Sequence, residues 1–349
     1  MLRDIQLQQG AVFEVEKLVP ASFGNDLEAL EAAQVAVALC DRSHWGRLQI
    51  TDSDHLTFLH NQSTNDFKNL KPGEGCDTIF VTSTARTIDL ATVYVLDEAV
   101  ISIVSPNRRE YLMTWLDRYI FFGDKVKLQD ITDQSAMFSL VGPQSQSLLA
   151  KLGVTSLQDQ PQGTHQEVVL AEQPVRVAVG SGLAIAGYTL IMNSEYAADV
   201  WAALVAAGSV PMGDRAWEQL RIQQGRPTPD QELTEDYNAV EACLWQAISL
   251  NKGCYIGQET IARLDTYKGV KQQLWGIRLN QSVQPGSEIF HEGEKVGILT
   301  SITQAEPGYL GLGYIRTKAG GNGLKVTIDQ AEGELIEVPF LQRDRQPLE

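Results

Sequence analysis

The chain has 349 residues, 43% of them hydrophobic, which is enough to bury more than one core and to divide into roughly two or three domains. Its formal charge of −16 and pI near 4.8 argue against nonspecific nucleic-acid binding, because a phosphate backbone is repelled at long range. No stretch approaches the ~20 apolar residues of a membrane span, and the first residues, with Asp4, Glu14 and Glu16, do not read as a signal peptide. Cys40, Cys76, Cys243 and Cys254 are too widely spaced for a zinc knuckle and too few for a disulfide scaffold, so a reducing cytoplasm is expected.

The apolar positions Leu27, Leu30, Val35 and Ala38 predict a helix from Asp26 to Leu39, with a strand at RLQI after the turn-like DRSHWGR. DSDHLTFLH then reads as a helix opening on an aspartate cap and closing in the polar run NQSTND. Short strands follow at TIFVT, DLATVYVL and AVISIV, before an amphipathic segment near Arg108 to Tyr119. A second cycle takes the strand MFSLVG, the helix QSQSLLAKL after Gly142 and Pro143, the strands PVRVAV and GYTLIM, and the helix EYAADVWAALVAAG. Strands and helices mix without regular alternation, which favours α+β over a doubly wound sheet. GDRAWEQLRIQQ is a further helix, stopped by GRPTPD. Beyond residue 270 the strands QLWGIRL, KVGILTSIT, YLGLGYI and LKVTI, divided by PG and GG turns, predict a small all-β C-terminal domain; the expected division is 1–270 and 271–349.

The segment NKGCYIGQETIARL is unlike a core sequence. Gly253 and Gly257 permit close backbone approach or torsions closed to other residues, which puts Cys254 and Tyr255 on a constrained loop. An ammonium from Lys252 would favour the thiolate of Cys254, the form that reacts with electrophiles, disulfides or metals. The plain alternative makes Cys254 a small buried hydrophobe and the glycines turn formers. The basic stretch from Lys252 through Arg263, Lys268 and Lys271 is the best place for an anionic ligand in so acidic a chain, with a solvated charged face as its alternative. His44, His55, His60, His165 and His291 form no metal-binding spacing, and no nucleophile elbow, P-loop or dinucleotide fingerprint occurs.

KGCYIGQE, from Lys252 through Gly253, Cys254, Tyr255 and Gly257 to Gln258 and Glu259, resembles the signature K-G-C-Y/F-x-G-Q-E of the YgfZ-like, folate-binding branch of the glycine-cleavage aminomethyltransferase superfamily. DRSHWGRLQITDSDHLTFLHNQSTNDFKNLKPGEG resembles the superfamily's N-terminal pattern, and VGILTSITQAEPGYLGLGYI its C-terminal β-domain. The resemblance implies an α+β fold of three domains in a ring, the last an all-β barrel, with tetrahydrofolate in the central opening. It implies a folate-dependent accessory factor for iron–sulfur enzymes or their assembly machinery, with Cys254 as its reactive or cluster-contacting thiol. By position, Glu241 matches the carboxylate that holds the pteridine ring, its alternative being an exposed helical glutamate. Asn65 and Asp66 match an Asn-Asp pair beside the folate channel or form a simple turn, and Lys268 and Lys271 match basic residues near the folate tail. Where aminomethyltransferases resemble G-K-I-L-D-D, this chain has Ala85 for the glycine and Leu90 after Asp89. The missing second carboxylate counts against a tetrahydrofolate-dependent aminomethyltransferase or one-carbon transfer enzyme, the first competing reading, a noncatalytic scaffold being the other; Asp89 itself is kept as a candidate folate contact or a strand end.

Overall fold

A computed structural model describes residues 1–267 and 269–344. The chain forms two compact units that exchange segments: Met1–Leu56, Asn69–Cys76 and Thr92–Leu220 make the first, and Thr57–Lys68, Asp77–Ala91 and Arg221 onward the second.

The first unit is built on a six-stranded sheet in the order Val210–Met212, Ala38–Asp41, Ser135–Val141, Gly187–Asn193, Gln173–Val179, His165–Leu170. Its pairs are antiparallel except the first, where Val210–Met212 runs parallel to Ala38–Asp41. Trp201, fully buried on the helix Ala197–Ala206, stacks on Phe23 at 5.9 Å and meets Phe138 edge-on at 5.2 Å, so helix and sheet share one aromatic core. The helix expected to reach Leu39 stops at Val35, and Ala38–Asp41 is a strand instead. Every residue of that strand is buried, so its apolar run continues the helical stripe without a break in hydrophobicity. A five-stranded sheet follows the order Gly75–Val81, Thr87–Val95, Ala99–Val104, Gly46–Thr51, Lys127–Asp130, and its first two strands carry the chain into the second unit.

The second unit contains a closed barrel of six strands, Gln272–Leu279, Tyr309–Arg316, Glu294–Gln304, Glu288–His291, Lys325–Ile328 and Ala331–Ile336, antiparallel throughout. Pairing of Gln272–Leu279 with Ala331–Ile336 closes it and leaves no open edge. Glu288–His291 and Ala331–Ile336 were not foreseen, because the first is four residues long and the second alternates acidic side chains with a glycine. Ile277, Ile289, Leu299, Ile315, Ile328 and Leu335 fill the interior.

One charged cluster ties the segment after Arg221 to this barrel. Glu232 is fully buried, and its carboxylate accepts from Arg221 at 2.9 Å, the Thr228 N–H at 3.1 Å, Thr300 Oγ1 at 2.7 Å and Ser301 Oγ at 2.5 Å. Tyr314 donates its hydroxyl to the Glu232 carbonyl at 2.8 Å and stacks on Tyr237. A buried ion pair is tolerable only when every lone pair is met, and here the barrel hydroxyls complete the set. Arg221→Met leaves Glu232 buried without its cation; a loss of about 3–5 kcal/mol is expected in urea unfolding. An unchanged midpoint would contradict this account of the junction.

Candidate functional site

The motif begins with an anchor. Lys252 is buried, and its ammonium donates to the carbonyls of His60, Ser63 at 2.7 Å and Asn65 at 2.5 Å. These carbonyls lie at and just beyond the C-terminal turn of the helix His55–Gln62, whose last carbonyls have no partner within the helix and whose dipole favours a cation. The Lys252 ammonium also lies 4.7 Å from the centre of the Tyr255 ring. An ammonium has three N–H donors, and three carbonyls take them. Lys252 therefore clamps the start of the motif to the end of this helix.

Gly257 is required twice over. Its φ of +82° suits glycine, and a Cβ there would stand 2.9 Å from the Thr82 carbonyl oxygen and 3.1 Å from Ala85 Cα. Tyr255 is buried with Ala85, Val240 and Ile261, and burial pushes its phenol well above the ordinary range. Cys254, between Gly253 and Tyr255, is exposed and free of any disulfide, unlike the buried Cys40 and Cys243. The buried-hydrophobe alternative for Cys254 thus falls away. Gln258 opens the helix Gln258–Tyr267, on which Glu259 and Arg263 form an exposed i,i+4 pair at 2.7 Å, a contact of small energetic weight.

Glu241 sits elsewhere in the second unit. It lies on a turn, not a helix, and is only 7% exposed. The Asn238 N–H donates to its carboxylate at 3.1 Å, and its own carbonyl accepts from Leu274 of the first barrel strand at 2.9 Å. It lines a cavity of about 790 Å³ together with Arg86, Lys271, Gln272, Arg316 and Lys318. Four cations thus face this cavity against two carboxylates, Glu241 and Asp236, a local reversal of the chain's acidity. Burial raises the Glu241 carboxyl above its ordinary value, opposed by the Asn238 N–H, Arg86, Gln272 and Lys271.

Of the residues singled out from the sequence, the cavity gathers Glu241 and Lys271; Lys268 lies outside the described residues. Asn65 and Asp66 line the motif's anchor instead. The Asn65 amide donates to the Asp77 carbonyl at 2.7 Å, and Asp66 lies 3.1 Å from His60 Nδ1. Asp89 is fully buried, and with Asp77 it offsets the charge of the buried Arg226. Leu90 packs with Ile79, Val81, Leu233, Ala242 and Leu244, because neighbouring strand residues face opposite ways. A carboxylate at position 90 would be buried among aliphatic groups. Arg86, Arg316 and Lys318 were missed because Arg86 is far along the chain from the other two, which sit at the end of a barrel strand with no motif to mark them. Among the described residues, no three His, Cys, Asp or Glu side chains gather as for a metal ion, and no helix is long and apolar enough to cross a membrane.

An α+β chain ending in a closed six-stranded barrel has the architecture of an aminomethyltransferase-type fold. The crystal structure of glycine cleavage system aminomethyltransferase T from Bartonella henselae superposes with a TM-score of 0.86 over 98% of this chain and 97% of that one, at 18% identity. Residues 3–252 match the GCVT N-terminal domain, and the chain belongs to that family. A protein of Arabidopsis thaliana named "Putative transferase At1g60990, chloroplastic" is 47% identical over 332 residues, covering 94% of this chain and 77% of that protein. The aminomethyltransferase of Geobacillus kaustophilus is 28% identical over 340 residues, covering 93% of each.

Two outcomes follow from this geometry. Replacing Lys252 by Met is expected to cost about 2 kcal/mol, since buried acceptors are left unmet, and to speed amide exchange in 55–62 and 252–257; protection equal to the parent's would refute the clamp. A carboxyl with a raised folded value adds no penalty below its ordinary pKa near 4.5, and a growing one as pH rises through the raised value. The unliganded Glu241→Gln protein should therefore gain stability over the parent as pH climbs from 4.5 to 8, read from thermal midpoints; a constant difference would count against the burial argument.

Proposed function

We propose that the protein is a tetrahydrofolate-binding accessory factor of the YgfZ-like branch, acting in the cytoplasm to support iron–sulfur enzymes or their assembly machinery, with Cys254 as its reactive thiol. The observation that carries the folate reading is the Glu241 carboxylate on the wall of a cation-lined cavity. An ionised carboxylate accepts two parallel hydrogen bonds from the aminopyrimidine edge of a pteridine. Arg86, Lys271, Arg316 and Lys318 supply positive charge for the carboxylates of the glutamate tail, and a volume of about 790 Å³ suits a ligand of this size. Tetrahydrofolate, when bound, supplies one-carbon carrier chemistry; the protein's residues bind and orient it. The branch assignment draws on KGCYIGQE and on the exposure of its cysteine.

A transferase is the second reading, favoured by the names of the relatives. Against it stands Leu90, whose place in an aliphatic cluster leaves no second carboxylate beside Asp89. Turnover of methylene-tetrahydrofolate or of an aminomethylated lipoyl carrier would put this reading first.

Calorimetric titration with tetrahydrofolate is expected to release heat with the parent, to show about 10-fold weaker binding or worse for Glu241→Ala through loss of a charge-assisted pair, and to stay within a few-fold for Cys254→Ala. In a deletion strain, Cys254→Ala should fail to restore iron–sulfur enzyme activities that the parent restores. Absence of heat would overturn the folate reading, and full restoration by Cys254→Ala the thiol's role.

A further inference from the structure

The loop that carries Cys254 is fastened on both sides to one turn of the helix His55–Gln62. Before the cysteine, Lys252 holds the carbonyls of His60, Ser63 and Asn65; after it, Ile256 donates its N–H to the Asn61 carbonyl at 3.1 Å. His60, in the same turn, is only 3% exposed. Its Nδ1 lies 3.1 Å from Asp66 Oδ1, and the Phe67 N–H approaches the same nitrogen at 3.4 Å. The carboxylate contact is shorter and charge-assisted, so Nδ1 carries the proton and Nε2 keeps its lone pair.

Nε2 makes no hydrogen bond among the described residues, and unlike His55 Nε2 it is not one of the fully enclosed polar atoms. It lies 3.7 Å from the point where a Cβ on Gly253 would stand. Gly253 has no side chain to cover it, and the next residue is the exposed Cys254. A buried imidazole oriented by a carboxylate, with its second nitrogen open toward Gly253 and so one residue along the chain from an exposed cysteine, has the parts by which a thiol is activated.

We propose that His60 is the proton acceptor for the Cys254 thiol and that Asp66 positions it. The Sγ–H bond breaks and an Nε2–H bond forms, directly or through one water, leaving a thiolate beside an imidazolium whose charge Asp66 offsets. No electrons are exchanged. The groups facing His60 are Lys252, Asp66 and Lys68; burial and Lys252 hold the imidazole below its ordinary value of 6.5, with Asp66 opposing and Lys68 adding to the fall. His60 is thus neutral near pH 7 and able to accept a proton, and this capacity is lost as pH falls through its titration. The proposal rests on the reading of Cys254 as the reactive thiol.

The test is the rate of alkylation at Cys254 by iodoacetamide between pH 5 and 8.5, followed by peptide mass spectrometry on the full-length protein. The parent profile is expected to contain an inflection from the imidazole below pH 6.5. His60→Gln should lose that inflection and react about 10-fold more slowly at pH 7, with Asp66→Asn between the two. A parent profile without the inflection, or a His60→Gln profile that superimposes on the parent's, overturns the proposal. Should His60→Gln fail to fold, the parent profile and Asp66→Asn decide the matter alone. Iron–sulfur enzyme activities play no part in this measurement, so its failure is distinct from failure of the functional reading.

Discussion

The Lys252 ammonium, shared among three backbone carbonyls, is the contact on which the motif depends. Beyond a helix terminus the free carbonyls need donors, and a buried cation needs acceptors; each need answers the other. The consequence reaches past stability. Because Lys252 is fixed at the end of His55–Gln62, the residues that follow it are held against the same turn, and Cys254 remains outside while Tyr255 goes in. The lysine thereby fixes where the loop runs.

The cavity shows a second use of charge. A chain with a formal charge of −16 holds four cations around one space, and the Glu241 carboxylate among them is buried. Burial makes Glu241 expensive as an anion, so a partner that donates hydrogen bonds to it gains more than it would from an exposed carboxylate. Cavity and motif also share packing: Ala85 and Val240, next to Arg86 and Glu241, lie in one apolar cluster with Tyr255. The two regions therefore share one apolar cluster.

Much of this was legible in the chain. Helical and alternating periodicities located Asp26–Val35, Ala197–Ala206, Thr87–Val95 and the barrel strands Gln272–Leu279 and Tyr309–Arg316, because each buries one face or both. The strands Lys127–Asp130 and His165–Leu170 escaped notice because they lie at sheet edges and carry exposed or half-exposed polar groups. Leu90 was legible as an absence of charge, whereas its place in an aliphatic cluster emerged only from strand pleating. The carbonyls that Lys252 reaches were not legible, since proximity in sequence to Cys254 says nothing of which acceptors its long side chain meets.

What the amino-acid sequence determined by itself was local and categorical: the α+β class, the β-rich C-terminal region, and a motif whose glycines, cysteine and lysine mark it apart from a core segment. These properties depend on spacing along the chain, which periodicity and backbone torsion translate directly into structure. Tertiary structure alone decided which residues meet. His60 and Lys252 are far apart in the chain, as are Arg86 and Arg316, and nothing in the order of residues couples them. Their meeting is set by how the helices and strands pack, and packing depends on all the buried surfaces at once.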